Sequence, residues 1–143
     1  MTYTEEHKDL FTVSDDYYLA HCISSDFAMG AGIAVEFVSR FDMRNKLRKA
    51  YPSKNLEERV GKALLIGRTF NLITKKYVYH KPYYDDLCSS LMDMKRQMQE
   101  LSIKKLAMPK IGCGIDGLDW HKVKKIIAEV FGDTDVEILI CYL

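Results

Sequence analysis

Nearly continuous apolar runs, separated by polar stretches and small-residue turns, mark the strands of this chain. Residues 17–23 predict a buried strand, and residues 106–109 predict a second, shorter one. Residues 63–67 and 70–74 predict two further short strands, joined tightly around Arg68. Residues 136–143 end the chain with a run that is typical of a strand buried on both faces.

Three segments are predicted to be helices. Residues 33–41 and 83–101 have the three-and-four apolar spacing of a helix face, and residues 120–131 lie between Asp119, a suitable N-cap, and Gly132. Residues 43–61 are polar and basic and include Pro52, so they predict a helix end followed by a surface connection. Strands that alternate with helices predict an α/β fold. Its mixed sheet is covered on both faces, with a ligand crevice at the carboxyl ends of strands.

Length and charge narrow the function classes. The 143 residues predict a single domain over residues 1–143, and nearly half of them are apolar or aromatic, as in a folded globular protein. Lys and Arg total 21 against 20 Asp and Glu, a formal net charge of +1. General nucleic-acid binding normally needs a strongly basic face, which this balance does not predict. A nearly neutral chain can still carry a local basic rim around one site.

The cysteines and histidines indicate whether a metal or redox site is expected, and the apolar runs indicate where in the cell the protein is expected. The four cysteines form no CxxC pair, so neither a zinc knuckle nor a redox motif is expected. The histidines show no metal-ligand spacing, and His21, within an apolar strand, is predicted to be a satisfied core residue. The first residues lack the apolar segment of a signal peptide, and no apolar run has the length of a membrane span. A cytoplasmic protein without membrane contact is expected.

Two glycine-bearing loops, each after a predicted strand and before a predicted helix, are the first candidates for chemistry. They are residues 29–32 (MGAG) and residues 112–117 (GCGIDG). Glycines let the backbone approach a ligand closely, and a helix start presents free N–H groups and a partly positive dipole. One such loop is usually only a turn, whereas two at one sheet edge suit a diphosphate gripped from both sides. Neither loop matches a P-loop or a Rossmann fingerprint.

Lys75 and Asp116 have two interpretations. Lys75 ends a predicted strand, and Asp116 lies in the second glycine loop. Taken alone, the lysine is a solvated strand-end residue and the aspartate is a turn residue. Within a pocket, a partly desolvated lysine is a nucleophile toward a sugar C1 centre, and a carboxylate beside it moves protons or assists hydrolysis. Both interpretations are open at this point.

Short sequence blocks in a fixed order resemble the macrodomain superfamily. More narrowly, they resemble its terminal ADP-ribose protein glycohydrolase branch, which is related to O-acetyl-ADP-ribose deacetylases. The blocks are KDLF (8–11), LAHCIS (19–24), MGAGIAVEF (29–37), LITKK (72–76), HKP (80–82) and MPKIGCGIDGLDW (108–120). The resemblance implies a three-layer α/β/α macrodomain with a central mixed β-sheet. It further implies that ADP-ribose is bound in a crevice, with no metal or cofactor required.

The resemblance also implies roles for individual residues. Lys75 matches the lysine that attacks the distal ribose to form a transient covalent adduct, and Asp116 matches its acidic partner. Asp9 matches the carboxylate that holds the adenine amino group, with Leu10 beside it. The residues expected near the diphosphate and the distal ribose are Ser24, Gly30, Ala31, Gly32, Thr74, Ile111, Gly112, Cys113, Gly114 and Ile115.

The function implied by the resemblance is removal of ADP-ribose from acidic side chains of proteins, or from O-acetyl-ADP-ribose. Residues 21–27 (HCISSDF) lack the asparagines of other hydrolytic macrodomains, and the glycine–glutamate signature of poly(ADP-ribose) glycohydrolases is absent, which both fit the lysine-dependent branch. Two alternatives stay open. One is an eraser of ADP-ribose from nucleic-acid bases, with basic residues between 40 and 49 as a rim. The other is a non-catalytic ADP-ribose reader.

Overall fold

The chain folds into six strands and five helices. The computed structural model describes residues 1–143. The strands are β1 (Thr2–His7), β2 (Tyr18–Ser24), β3 (Ala63–Ile66), β4 (Thr69–Lys75), β5 (Lys105–Met108) and β6 (Glu137–Tyr142). The helices are α1 (Ile33–Phe41), α2 (Met43–Ala50), α3 (Leu56–Arg59), α4 (Tyr84–Glu100) and α5 (Trp120–Phe131), and a short 3-10 helix covers Leu10–Thr12.

All six strands form one sheet in the order β1-β6-β5-β2-β4-β3. Neighbouring strands are parallel except β3, which is antiparallel to β4. The sheet is therefore mixed, as predicted. Because the parallel strands point the same way, the carboxyl ends of β2, β4 and β5 lie at one edge of the sheet. Both glycine loops and Lys75 belong to that edge.

Apolar side chains cover both faces of the sheet. One cluster packs α4 and α5 on the sheet through side chains such as Leu91 and Ile127, and the other packs α1 and α2 through Phe37 and Leu47. Alternate residues of the central strands belong to opposite clusters: on β5, Leu106 joins the first and Ala107 joins the second. The three-layer α/β/α arrangement is confirmed.

Strand β1 has no counterpart among the predicted elements. It pairs in parallel with β6 at one edge of the sheet, from Thr2 opposite Glu137 to His7 opposite Tyr142. Its sequence, TYTEEH, is mostly polar, and most of its residues are exposed. An edge strand of this kind lacks the apolar run by which the other strands were identified, because it forms mainly through backbone pairing with β6.

The prediction for residues 43–61 is wrong in part. A helix end and a surface connection were expected, but α2 and α3 occupy most of this segment. Met43 and Leu47 of α2 are buried in the core, because they lie one turn apart on a single face. Arg59 is also buried, and its guanidinium donates to the carbonyls of Tyr51 (3.1 Å), Ser53 (2.7 Å) and Ser25 (2.8 Å). Helix α2 was not predicted in full because only two of its residues, Met43 and Leu47, belong to the core, and most of the others are basic or polar.

Of the remaining predictions, the caps of α5 are confirmed, whereas two predictions about the whole chain are not tested by the structure. Asp119 caps α5, accepting from the His121 amide at 2.9 Å, and Gly132 is the C-cap, as expected. No helix is both long enough and apolar enough to cross a bilayer. The four cysteines are free thiols. The cytoplasmic location and the single-domain organisation stay predictions.

Candidate functional site

A crevice of about 300 Å³ opens at the carboxyl ends of β2, β4 and β5. Its floor includes Ile23 and Ser24 from the end of β2, and Lys75 from the end of β4. The two glycine loops form its walls. The structure therefore brings both loops and Lys75 to one cavity, at the sheet edge where the crevice was predicted.

The first glycine loop leads directly into α1. Gly30, Ala31 and Gly32 line the crevice, and Gly32 is the N-cap of α1 with no side-chain hydrogen bond to the helix start. Its backbone angles, φ 61° and ψ −151°, belong to a region that only glycine adopts readily. A Cβ on Gly32 would lie 3.9 Å from Cδ1 of Ile115 in the other loop. The two loops thus meet across the crevice.

Two side chains hold the first loop in place: Asp26, which the sequence did not single out, and Arg44, which was considered only as part of a basic rim. Arg44 of α2 donates through Nε to the Phe27 carbonyl at 3.0 Å and through its terminal nitrogen to the Ala28 carbonyl. Asp26 accepts from the Ala28 amide at 3.2 Å and, through its other oxygen, from the Val78 amide at 3.2 Å. Asp26 thereby links the loop to the segment after Lys75. The local signal for this role of Asp26 is its spacing from Ala28, because an aspartate side chain often accepts from the amide two residues later.

The basic residues near Arg44 do not form a continuous free rim. Arg44 is engaged with the loop carbonyls, and Arg40 pairs with Glu36 at 2.8 Å while lying over the Phe11 ring. Lys46, Arg48 and Lys49 are exposed on α2. This segment is therefore mainly a solvated helix face, with one arginine used to shape the crevice.

The second glycine loop needs glycine for a steric reason. Gly112 has φ 72°, and a Cβ there would lie 2.8 Å from Cδ1 of the buried Leu118. The Leu118 amide in turn donates to the Gly112 carbonyl at 2.9 Å, which closes the loop. Ile111, Gly112, Gly114, Ile115 and Asp116 line the crevice.

Lys75 and Asp116 form an ion pair at the crevice wall. Lys75 Nζ lies 2.6 Å from Asp116 Oδ1, and the two side chains are only 9% and 19% exposed. Lys75 Nζ also donates to the Val78 carbonyl at 2.8 Å. The solvated strand-end interpretation of Lys75 is therefore wrong: the lysine is enclosed, held by two acceptors, and directed at the cavity between the glycine loops.

A bulge at the end of β4 explains how Lys75 reaches this position. Ile73 lies opposite Ile23 of β2, but the next pair is Lys75 opposite Ser24, so Thr74 has no partner residue. Bulges of this kind re-aim a side chain and often occur next to active sites. Thr74 is 1% exposed and lies outside the crevice, in the wall of a second cavity described below. Ser24 lies in the crevice, where its hydroxyl donates to Asp26 at 2.5 Å.

Three other predicted ligand residues do not line the crevice. Asp9 caps the 3-10 helix by accepting from the Phe11 amide at 2.9 Å, and Leu10 is buried beneath it. Cys113 packs against the core, and its thiol donates to the Ile111 carbonyl at 3.2 Å. Roles for these residues in ligand binding stay predictions.

The thiols beside the site are poor nucleophiles. Burial raises the pKa of Cys22, and the negative charge of Asp116 raises it further. Burial also raises the pKa of Cys113. A protonated thiol reacts slowly compared with a thiolate, so neither cysteine is prepared for nucleophilic attack. No group of three histidine, cysteine, aspartate or glutamate side chains is arranged to hold a metal ion.

His21 is a core histidine, as expected, but it is only partly satisfied, because its buried Nδ1 has no hydrogen-bond partner. Its Nε2 lies 2.7 Å from Asn71 Oδ1, and its ring stacks on Phe37 at 3.8 Å. Asn71 donates its amide to the Leu64 carbonyl at 3.1 Å, so its oxygen faces His21 and Nε2 carries the proton. Burial lowers the pKa of His21 to about 4. This histidine borders the crevice floor as a neutral ring.

Comparison with known proteins agrees with this geometry. The sequence model of the Macro domain family matches residues 20–127. The chain is 40% identical over 136 residues to the Homo sapiens ADP-ribose glycohydrolase OARD1, covering 92% of this chain and 86% of that protein. It is 28% identical over 127 residues to the DNA ADP-ribosyl glycohydrolase of Mycobacterium tuberculosis, covering 82% of this chain but only 36% of that relative.

The three-dimensional comparison extends over nearly the whole chain. The solved macrodomain of Mycobacterium tuberculosis DarG superposes with a TM-score of 0.83 at 25% identity, covering 99% of this chain and 98% of that structure. The family model alone covers well over half of the chain. The three-layer fold, the crevice between two glycine loops and these matches agree, and the chain belongs to the macrodomain family.

Proposed function

We propose that this protein is an ADP-ribosyl hydrolase that binds ADP-ribose in the crevice and releases it from an acceptor by means of Lys75 and Asp116. The observation that carries the proposal is the enclosed Lys75–Asp116 pair, 2.6 Å apart, between two glycine loops. A protein that only bound ADP-ribose would have no use for a buried lysine paired with a carboxylate at this point. The names of the relatives, an ADP-ribose glycohydrolase and a DNA ADP-ribosyl glycohydrolase, support the same activity.

The crevice suits the two ends of a diphosphate-bridged ligand. The start of α1 offers free backbone N–H groups at Gly32, and the second loop presents its backbone from the opposite wall. Helix starts and glycine loops bind phosphate in this way. With the diphosphate between the loops, the distal ribose would lie at Lys75. Asp9 would then hold adenine at the far end, as the family resemblance implies.

The ion pair supplies both a nucleophile and a proton acceptor. Asp116 Oδ1 lies close enough to take a proton from the Lys75 ammonium, which frees the lone pair of Nζ. Nζ then bonds to the ribose C1″ as the C1″–O bond breaks, and the bonding electrons leave with the acceptor carboxylate. Water subsequently attacks C1″, Nζ departs and takes up a proton, and ADP-ribose is released. The net change is ester plus water to ADP-ribose plus acid.

Substitution of Lys75 tests this function. Lys75→Ala should abolish release of ADP-ribose from a glutamate-linked peptide and from O-acetyl-ADP-ribose, while binding of free ADP-ribose by calorimetry is largely retained. Asp116→Asn should lower kcat about 10²- to 10⁴-fold, because it removes the proton acceptor. Lys104→Ala is the matched control, since Lys104 pairs with Asp135 on the surface and away from the crevice. Wild-type rates in Lys75→Ala would exclude the mechanism.

The same assay separates the hydrolase from a reader. A reader would hold the modified peptide without releasing ADP-ribose over hours, and Lys75→Ala would then change nothing in the product analysis. Detectable product from the wild-type protein rules out the reader.

One observation favours nucleic-acid bases as a second class of acceptor. Tyr79 and Tyr83 are 77% and 74% exposed a few residues beyond Lys75, and the Tyr77 and Tyr79 rings stack 5.4 Å apart. Exposed aromatic rings stack on the bases of single strands. A base-linked ADP-ribosyl oligonucleotide belongs in the assay beside the two esters, and its rate relative to theirs decides between the acceptors.

A further inference from the structure

A second cavity, which we call the α4 cavity, lies on the other side of Lys75 from the crevice. It has a volume of about 820 Å³ and opens between the end of β4 and the start of α4. Its walls include Glu57, Thr74, Lys76, Lys81, Tyr84 and Asp86. Lys75 is the residue that lines both cavities. The α4 cavity therefore adjoins the residue that the proposed mechanism places at the reacting carbon.

Thr74 supplies an unused hydrogen-bonding group in this cavity. It is 1% exposed, and its hydroxyl has no hydrogen-bond partner. The bulge leaves Thr74 without a partner residue on β2, and Thr74 lines the α4 cavity rather than the crevice. A buried hydroxyl without a partner is unfavourable, and a hydroxyl can donate to a ligand oxygen. The unpaired Thr74 hydroxyl therefore indicates a polar ligand atom at the end of β4.

The start of α4 provides further donors. This helix is 17 residues long, and its N-cap, Tyr83, makes no side-chain hydrogen bond to the helix. In α4, the first backbone amide that makes a hydrogen bond is that of Leu87, which donates to the Tyr83 carbonyl at 3.2 Å. The preceding amides, at residues 84–86, have no intramolecular acceptor. Free amides at a helix start bind carboxylates and other anions.

Most of the charges around the cavity are already paired. Lys75 pairs with Asp116 and Lys76 with Glu57, which leaves Lys81 and Asp86 as the lining charges without an ion-pair partner. Lys76 Nζ lies 3.3 Å from Glu57 Oε1, so Lys81 is the lining cation that is left to meet an incoming anion. The negative charge of Asp86 opposes an anion here, but burial and the neighbouring Asp85 raise the pKa of Asp86 and so disfavour that charge.

We propose that the α4 cavity is the acceptor site, and that it binds the carboxylate that leaves when the C1″–O bond breaks. The Thr74 hydroxyl and the free amides at the start of α4 donate to this carboxylate, and Lys81 lies nearest its peptide. The inference rests on the proposed hydrolase function and deepens it by assigning a binding site to the departing carboxylate. As the ester is cleaved, its oxygen gains the bonding electrons, so donors aimed at that oxygen stabilise the transition state more than the ground state.

Enzyme kinetics on the glutamate-linked peptide test the site. Thr74→Val should lower kcat about ten- to a hundredfold, the effect of one lost hydrogen bond to a charged group, and Thr74→Ser should restore most of it. Lys81→Gln should raise KM for the peptide, and Asp86→Asn should lower it, because the two changes alter the cavity charge in opposite senses. Met92→Ala, on the exposed side of α4, is the control for the helix.

Direct binding gives a readout that does not depend on turnover. With ADP-ribose present, N-acetylglutamate should shift the amide NMR signals of residues 84–86 in the wild-type protein. In Thr74→Val these shifts should be strongly reduced, while thermal unfolding shows that the variant is folded.

The outcomes separate the two proposals. If the wild-type protein cleaves neither ester nor oligonucleotide, the proposed function fails. If it cleaves the esters but Thr74→Val keeps the wild-type kcat and N-acetylglutamate leaves residues 84–86 unmoved, only the acceptor site is overturned. It is likewise overturned if the base-linked oligonucleotide is the preferred substrate and its cleavage is what Thr74→Val impairs, because the occupant is then a base.

Discussion

At the scale of single residues, the site depends on side chains whose burial contradicts their usual behaviour. Lys75 is a strand-end lysine, a type that is normally solvated, yet its side chain is 9% exposed. Asp116 and the Val78 carbonyl compensate for this burial by accepting from Nζ. An enclosed lysine with one carboxylate at 2.6 Å can exchange a proton without solvent, as the proposed mechanism requires.

His21 makes a residue-scale prediction about pH. Burial lowers its pKa to about 4 from 6.5, so the unfolded chain binds a proton that the folded protein excludes between these values. Stability is therefore full above pH 7 and is lost as the pH falls through 6.5 toward 4. From pH 7.5 to pH 5 the free energy of unfolding should fall by about 2 kcal/mol in urea titrations.

The matched variant for that measurement is His21→Gln, which keeps a donor for Asn71 but cannot take up a proton in this range. It should unfold with a smaller decrease in stability between pH 7.5 and pH 5. An unchanged pH dependence in the variant would show that other groups produce the effect.

At the scale of elements, each glycine loop is fixed by the helix that follows it or packs on it. Arg44 of α2 holds the carbonyls before the first loop, and Leu118, just ahead of α5, fills the space above Gly112 in the second. Contacts within the protein therefore hold both loops in place in the absence of ligand. A diphosphate bound between them, as proposed, would meet a preformed site, which reduces the entropy lost on binding.

Gly112→Ala tests that packing. The new methyl group would meet Leu118 Cδ1 at 2.8 Å, and φ is 72°, so the variant should be destabilised by about 1–2 kcal/mol and bind ADP-ribose more weakly. Gly114→Ala is the matched control for stability, since no atom lies within 4 Å of its Cβ and its φ is not positive. Urea unfolding of both variants makes the comparison, and equal stabilities would contradict the steric argument.

At the scale of the whole molecule, one sheet is shared by two apolar clusters. Neighbouring residues of β5 and β6 alternate between them, so neither cluster can be exposed without breaking the strands that support the other. The crevice lies at the carboxyl edge of this same sheet. Global stability and site geometry are therefore coupled through β2 and β4.

This arrangement predicts cooperative unfolding. Leu19→Ala in one cluster and Leu91→Ala in the other, both at fully buried positions, should each lower the free energy of unfolding by about 2–5 kcal/mol. Each variant should still unfold in one transition, with fluorescence of the single tryptophan, Trp120, coinciding with far-UV circular dichroism. Met92→Ala, at an exposed position, should leave the midpoint nearly unchanged. Two separate transitions would show that the clusters unfold independently.

The sequence by itself determined the elements whose apolar pattern is strong. These are the buried strands, the helices at residues 33–41, 83–101 and 120–131, and the two glycine loops at one edge of the sheet. It failed for β1 and α2, because a polar edge strand and a helix with two core residues carry little apolar periodicity. Ordered motifs, rather than periodicity, indicated the family and the pair Lys75 and Asp116.

Only the tertiary structure decided what those motifs do together. A bulge at Thr74 shifts the end of β4 and places Lys75 between two cavities, and a loop 41 positions along the chain brings Asp116 to within 2.6 Å. Arg44 and Asp26 acquire their roles from partners that lie far away in the sequence or on another element, and Thr74 acquires its role from a cavity that it shares with the start of α4. Local patterns specify which face of an element is buried, whereas the meeting of distant polar groups is set by how the buried faces pack.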